Sequence, residues 1–398
     1  MTTVATSDLY FDPFDHDIRR DPYPVYRRLR DEKPLYYNER YDFYLVSRFD
    51  DVQRVLVERA TFKSGDGMVL GMIEMDAQIP EGLFIAEDPP FHTMHRGVVS
   101  RVFTVKAMQA LEPQVRELVA RTLDPLVGSG GFDFVREVGT VIPMQVIGML
   151  VGIPADQQSS LSDLAEKALQ REFSEDREPF DAMGAINAVF EDYIAWRVKN
   201  PSDDLLTMML DLTFEDQTGE TRHLTHAEVL TYLNVLATGG SDTTTRLIGW
   251  TGSLLADHPH QREILVGDRS LVPNAVNEIL RFEPPPYHIA RKTTEDVELY
   301  GEVVPAGSIM VVVPGAANHD ERHFPDPDTL DVGRKIDHML SFGYGPHFCL
   351  GAALARLEGR IVLDELLDRF PTWDIDYDGA RLTDGYMTRG WETLPAVL

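Results

Sequence analysis

The sequence predicts a mainly helical protein with small β-sheets, and three observations carry that prediction. Long stretches such as "AMQALEPQVRELVARTLDPL" and "LGAALARLEGRIVLDELLDRF" place apolar residues at three-and-four spacing. Strand signals are few and short. No internal repeat, low-complexity tract or flexible linker divides the 398 residues. The chain is therefore read as one domain, 1–398, whose first twenty or so residues form an extended arm.

Taken in order, the start "MTTVATSDLYFDPFDHDIRRDPYP" has no basic region followed by an apolar stretch, so neither a secretory signal nor a membrane anchor is expected. "RYDFYLVSRF" reads as a strand. "DPPFHTMHR" has prolines where a helix begins, and puts His92 and Arg96 four apart on one face. The segment 172–179, "EFSEDREP", interrupts two helical patterns as a mobile lid or a surface loop. Thr225 followed by Glu228 is a capping-box start, and the pattern it opens runs to about Asp257. Gly239 and Gly240 each cost that helix about 1 kcal/mol relative to alanine. Thr243 can bond back to a carbonyl of the preceding turn, which bends helices. "VELYGEVVPAGSIMVVV" reads as a hairpin pair.

Net charge is −28, from 65 acids against 37 bases. Such a surface repels nucleic acid and anionic membranes. Apolar runs such as "IMVVVPGAA" fall short of the roughly 20 residues of a bilayer span. The expectation is a soluble, cytoplasmic protein with no nucleic-acid or membrane partner.

One cysteine in the whole chain, Cys349, excludes an intramolecular disulfide and multi-cysteine metal sites. Leu350, Ala353, Leu354, Leu357 and Ile361 fit one helix face, so the thiol sits at or just before a helix start. Unpaired N–H groups there are expected to lower its pKa. Gly343 and Gly345 let the chain wrap tightly around sulfur, and Gly351 leaves room for a flat ligand. A thiolate without a second cysteine suits one axial bond to a metal.

Phe342, Gly343, Gly345, His347, Cys349 and Gly351, at these spacings, resemble the haem-binding loop of the cytochrome P450 family. The resemblance covers nearly the whole chain; Gly239, where alanine is commoner, is a minor departure. It implies the family's fold, a triangular helical prism enclosing haem b (iron protoporphyrin IX), with Cys349 as the ligand of iron. Phe342, Gly343 and Gly351 would border the haem. His92, Arg96, Arg291 and His347 would hold its propionates, with His95 as an alternative donor that points away from that face. Asp242 and Thr243 match the acid–alcohol pair that organises proton delivery. Glu278, Arg281 and Arg334 match the structural network behind the haem loop.

The implied reaction is monooxygenation with O2. No flavin or nicotinamide fingerprint is visible, so electrons are expected from a separate ferredoxin and ferredoxin reductase. Arg101, Lys106, Arg356 and Arg360 are the expected docking patch. A peroxide-driven peroxygenase and a non-catalytic haem-based ligand binder are the alternatives, and Asp242 with Thr243 argues against both. The segment before His92 would cover an apolar substrate, lined by Met68, Val69, Leu70, Met72, Ile73, Met75 and Phe84. Leu236, Ala237, Gly240, Ile289 and Met387 complete the candidate lining. A terpenoid, steroid-like ring system or branched lipid is expected.

Overall fold

Short strands buried on both faces and helices buried along one stripe set the architecture. The computed structural model describes residues 9–76, 78–101, 103–154, 182–216, 218–385 and 387–398; the charged segment 172–179 lies outside them. After helix α1 (Tyr23–Glu32) comes the hairpin of β1 (Leu35–Asn38) and β2 (Phe43–Val46), paired Leu35 to Val46. β3 (Phe62–Lys63), β4 (Ile289–Thr293) and β5 (Ile309–Val312) complete a five-stranded sheet in the order β1-β2-β5-β4-β3. The stretch expected to be one hairpin is divided. Val297–Leu299 and Glu302–Val304 pair with each other, whereas β5 leaves them and inserts between β2 and β4. Met310, Val311 and Val312 are buried, and a central position satisfies their backbone on both edges.

Helices α2 (Phe91–Ser100), α3 (Glu112–Leu123) and α4 (Val141–Val151) follow the third strand. The long helix α5 spans His226–Asp257 and opens with the expected box: Thr225 accepts from Glu228 N, and Glu228 reaches back to the Thr225 amide. It is helical throughout, so the two glycines make no break. A Cβ at Gly240 would lie 2.8 Å from Ile147 Cδ1, so this glycine serves close packing on α4 rather than a pocket. Gly239 has open space around it. Helices α6 (Val272–Phe282) and α7 (Ala352–Arg369) complete the frame, α7 lying against α3, α5 and α6.

The first residues are packed down rather than held out as an arm. Phe11 is buried, His16–Arg20 is helical, and Arg19 donates to Thr383 O and Asp384 O. The helical stretch Phe134–Val151 is long and apolar enough to cross a bilayer, beyond what the apolar runs suggested. It packs against α5 and is 61% buried inside the molecule.

Behind the cysteine loop lies an ion network centred on a fully buried pair. Glu278 and Arg281 are fully buried and meet at 2.7 and 2.8 Å; Arg334 Nε reaches Glu278 Oε1 at 3.0 Å. Arg281 also donates to Asn318 O and Pro327 O. Asn318 holds Leu340 N and Ser341 Oγ, and Ser341 donates to Leu280 O at 2.6 Å. The pair therefore ties α6 to the loop that carries the thiol.

Replacing Arg281 with Ala leaves Glu278 buried with half its hydrogen bonds. The expected cost is about 3–5 kcal/mol, the range for breaking a buried pair from one side, read as a lower midpoint in urea unfolding.

Candidate active site

Two glycines with positive φ, Gly343 (67°) and Gly345 (71°), turn the chain back on itself ahead of α7. The loop closes through Cys349 N to Phe342 O at 2.8 Å and Gly343 N to Leu340 O. Cys349 stands just before Gly351, the cap of α7, and is exposed. The expected fall in its pKa is not found. Displacement of water by the surrounding protein pushes the thiol up, and it outweighs the backbone N–H groups of Gly351 and Ala352 and the charges of Arg96 and Arg356. The same contacts that fail to ionise a free thiol are those a metal-bound sulfur would use. A Cβ on Gly351 meets nothing within 4 Å, so the space beside the sulfur is open.

Four basic side chains from two further segments and this loop converge nearby. His92 is buried on α2, with its ring 4.1 Å from His347. Arg96 donates to Phe348 O at 2.5 Å. Arg291, buried on β4, donates only to its neighbour Ala290 O. Ser64 Oγ lies 3.2 Å from His347 Nε2. None of the four forms an ion pair among the described residues.

Burial holds all of them below their ordinary pKa, and for His92 and His347 the neighbouring cations add to it. His347 is pushed down to about 2 by burial, Arg291, His92 and Arg96, and Arg291 to about 10 by burial despite Asp88. His92 is lowered by burial and Arg96, and its Nε2 is buried without a partner. Two guanidiniums that pair with no acid among the described residues, beside two neutral imidazoles of which one is orphaned, are a binding site for anions, and two carboxylates would satisfy it.

On α5, Asp242 and Thr243 do not bond to each other. Asp242 Oδ1 accepts from Arg246 Nη2 at 2.7 Å and Oδ2 from Thr388 Oγ1 at 2.7 Å. Thr243 Oγ1 donates to Gly239 O at 2.8 Å, the back-bond its sequence position suggests. Arg246 and Thr388 carried no signal in the sequence, since neither belongs to a local motif.

The candidate lining residues are brought together in part. The segment leading into β4 clips two of their segments in place: Ala290 N donates to Met68 O, and Tyr287 N to Met387 O. Met68, Met72, Ile73, Ile289 and Met387 keep exposed surface there. Val69, Leu70, Phe84, Leu236 and Ala237 are buried. Phe84 packs against Tyr232 and Leu70 sits in a second core cluster, so both are core; Met75 faces solvent. Sequence reasoning missed His288, whose Nε2 accepts from Leu70 N at 3.2 Å. Burial, then Arg19, pushes it down to about 4, so the neutral ring anchors the covering segment.

His95 lies away from the cationic group, as expected. Its Nδ1 is 2.7 Å from Glu87 and its Nε2 3.4 Å from Glu228, whose carboxylate also accepts from both Arg222 guanidinium nitrogens. Burial alone would lower His95, but the hydrogen bonds to Glu228 and Glu87 outweigh it and raise it to about 9. Glu81 brings a third carboxylate within 4.8 Å. The imidazolium and Arg222 already supply the cations this group needs.

Of the expected docking residues, Arg360 is paired with Glu112, and Arg356 bonds Asn277 while lying over the Phe342 ring. Arg101 and Lys106 remain exposed.

A family model described as Cytochrome P450 matches residues 156–379. The chain is 35% identical over 397 residues to putative cytochrome P450 123 of Mycobacterium tuberculosis, covering 98% of each. It is 33% identical over 404 residues to vitamin D(3) 25-hydroxylase of Pseudonocardia autotrophica, covering all of this chain and 98% of that one. The solved structure of cytochrome P450 CYP109Q5 from Chondromyces apiculatus superposes with a TM-score of 0.86 at 30% identity, over 97% of both chains.

Because His95 binds its proton more tightly when folded, its contribution is full below about pH 6.5 and fades as pH rises through about 9. Melting temperature should fall over that interval in the native protein. The His95→Gln variant should melt lower at neutral pH and show no such slope; an equal slope in both refutes the assignment.

Proposed function

The chain belongs to the cytochrome P450 family, and from that premise we propose that it inserts one atom of O2 into a hydrophobic small molecule. Members of this family are haem-thiolate oxidoreductases. The observation that carries the reading is the group of four unpaired bases around an orphaned His92 Nε2, beside the chain's only thiol. A porphyrin's two propionates supply the missing negative charge, and the open side of Gly351 accepts its face.

Haem b in this position would be held at iron by Cys349 and at its propionates by His92, Arg96, Arg291 and His347. Phe342, Gly343 and Gly351 would border it. When bound, the group supplies reductive activation of dioxygen, with thiolate ligation favouring O–O cleavage. The protein's own part is binding, orientation and proton supply. Asp242 holds a proton site at Oδ2, and Thr243 Oγ1, whose hydrogen is committed to Gly239 O, offers its lone pairs as an acceptor. Arg246 keeps Asp242 from drifting out of that position.

Glu278, Arg281 and Arg334 act at a distance, keeping residues 340–342 and hence the sulfur fixed. A lining of Met68, Met72, Ile73, Ile289 and Met387 suits an apolar substrate such as a terpenoid, steroid-like ring or branched lipid. The relative named for vitamin D(3) hydroxylation supports that class. The single thiol and acidic surface suit a cytoplasmic enzyme served by a ferredoxin and its reductase, and residues 1–398 are taken as one domain.

The test is a purified, haem-loaded protein. Its reduced carbon monoxide adduct should show the red-shifted band of thiolate ligation, lost in Cys349→His. Steroid-like and terpenoid ligands should change the iron spin state, and turnover should require NAD(P)H with a surrogate ferredoxin chain. Tight small polar acids and indifferent apolar ligands would refute the substrate class, while turnover on peroxide alone would select the peroxygenase.

For electron transfer, Arg101 and Lys106 are the members of the proposed patch that are exposed and in no ion pair among the described residues. Reversing both to Glu should weaken ferredoxin-driven turnover roughly tenfold at low salt and leave ligand affinity unchanged. Arg360→Glu should disturb the fold through Glu112 instead. Equal rates before and after the double reversal remove the patch.

A further inference from the structure

The contacts of Asp242 raise a question that the proposed role leaves open: through which atom does a proton reach this carboxylate? Oδ1 faces Arg246, a guanidinium that stays protonated and cannot pass its proton on. Arg246 is itself immobile. It is buried, its Nη1 donates to Trp391 O at 2.5 Å, and a Cβ at Gly390 would stand only 2.5–3.0 Å from its Cδ, Cβ and Cγ. Glycine at 390 is what lets the arginine lie there. Oδ1 is therefore closed.

Among the described residues Oδ2 has one partner, the Thr388 hydroxyl at 2.7 Å. A hydroxyl differs from a guanidinium in being both donor and acceptor. Its lone pairs accept nothing among the described residues, and Thr388 is half-buried while Met387 beside it is exposed. The exposed part of Thr388 is where water would approach Oγ1.

The position of Thr388 is set by the C-terminal segment, which runs down one face of α5. Trp250 Nε1 donates to Arg389 O at 3.2 Å, and Trp391 Nε1 to Ser253 Oγ at 2.9 Å. On its other edge, Tyr287 N donates to Met387 O and Arg389 N to Pro285 O. Residues on both sides of Thr388 are thus anchored, and the hydroxyl has little freedom to leave the carboxylate.

We propose that Thr388 is the positioning residue of Asp242 and the inlet for its proton. In the step, the Thr388 Oγ–H bond breaks as its proton passes to the Asp242 Oδ2 carboxylate, and Oγ takes a replacement proton from a solvent hydronium, which leaves as neutral water. No electron moves. The inference rests on the reading of Asp242 as the proton-supplying acid.

Thr388→Val keeps the shape and removes the hydroxyl; Thr388→Ser keeps the hydroxyl and removes the methyl; Thr388→Ala serves should Val impair folding. The first readout needs no turnover. The infrared carboxylate band of Asp242, taken as the difference between protein and its Asp242→Asn variant, should move in Thr388→Val and return in Thr388→Ser. In ferredoxin-driven turnover, product per electron pair should fall roughly tenfold in Thr388→Val, as loss of one proton-transfer group allows. Hydrogen peroxide release should rise correspondingly, the solvent deuterium isotope effect should grow, and Ser should restore both.

Ligand-induced spin shifts should be the same in all variants. An unmoved infrared band, or an unchanged product-to-peroxide ratio in Thr388→Val, overturns the proposal. A parental protein that gives no product with any electron donor would sink the monooxygenase reading, and that result is distinguishable from failure at Thr388.

Discussion

A carboxylate and a guanidinium buried face to face, with a second arginine at their edge, fix the place of the chain's only thiol. Glu278 and Arg281 have no exposed surface, so neither ion is tolerable without the other. The carbonyls of Asn318 and Pro327 take up further Arg281 donors. Asn318 in turn holds Leu340 and Ser341, and Phe342 then leads to the glycine turns that return to Cys349. A rigid scaffold of this kind suits a ligand atom whose position must not wander.

The second constraint is electrostatic and runs through an acidic protein. With a net charge of −28, the chain nevertheless collects four bases in one place, none of them in an ion pair among the described residues. Ion pairs are plentiful elsewhere: Arg116 alone meets Glu112, Asp364 and Glu365. The unpaired group is thus an exception with a direction, toward two carboxylates brought from outside. By contrast His95 is over-supplied, clamped by Glu87 and Glu228 where the covering segment meets the start of α5. His92 and His95, three apart on one helix, meet opposite fields because their rings reach different partners, His347 for the first and Glu87 with Glu228 for the second.

A third feature is the face of α5 that carries Asp242, Arg246, Trp250 and Ser253. The last strand region is bonded along it, so the acid of the helix is reached through side chains more than 140 residues away in sequence. The glycine whose side is open there is Gly239, whereas Gly240 is occupied by contact with Ile147. Local spacing made the two glycines look alike, and packing separates them.

Patterns within one segment were legible in the sequence: the capping box at Thr225, the helices around Glu278 and after Cys349, the glycine turns, and the family these residues resemble. They were legible because period, caps and turns act within a few residues of themselves. What only the tertiary structure decided depends on partners brought from afar: the thiol's pKa, which burial raises against the helix-end amides; the splitting of the expected hairpin by β5; the engagement of Arg356 and Arg360; and the hold of Thr388 on Asp242. Burial and ion pairing are sums over neighbours in space, and a sequence gives neighbours in only one dimension.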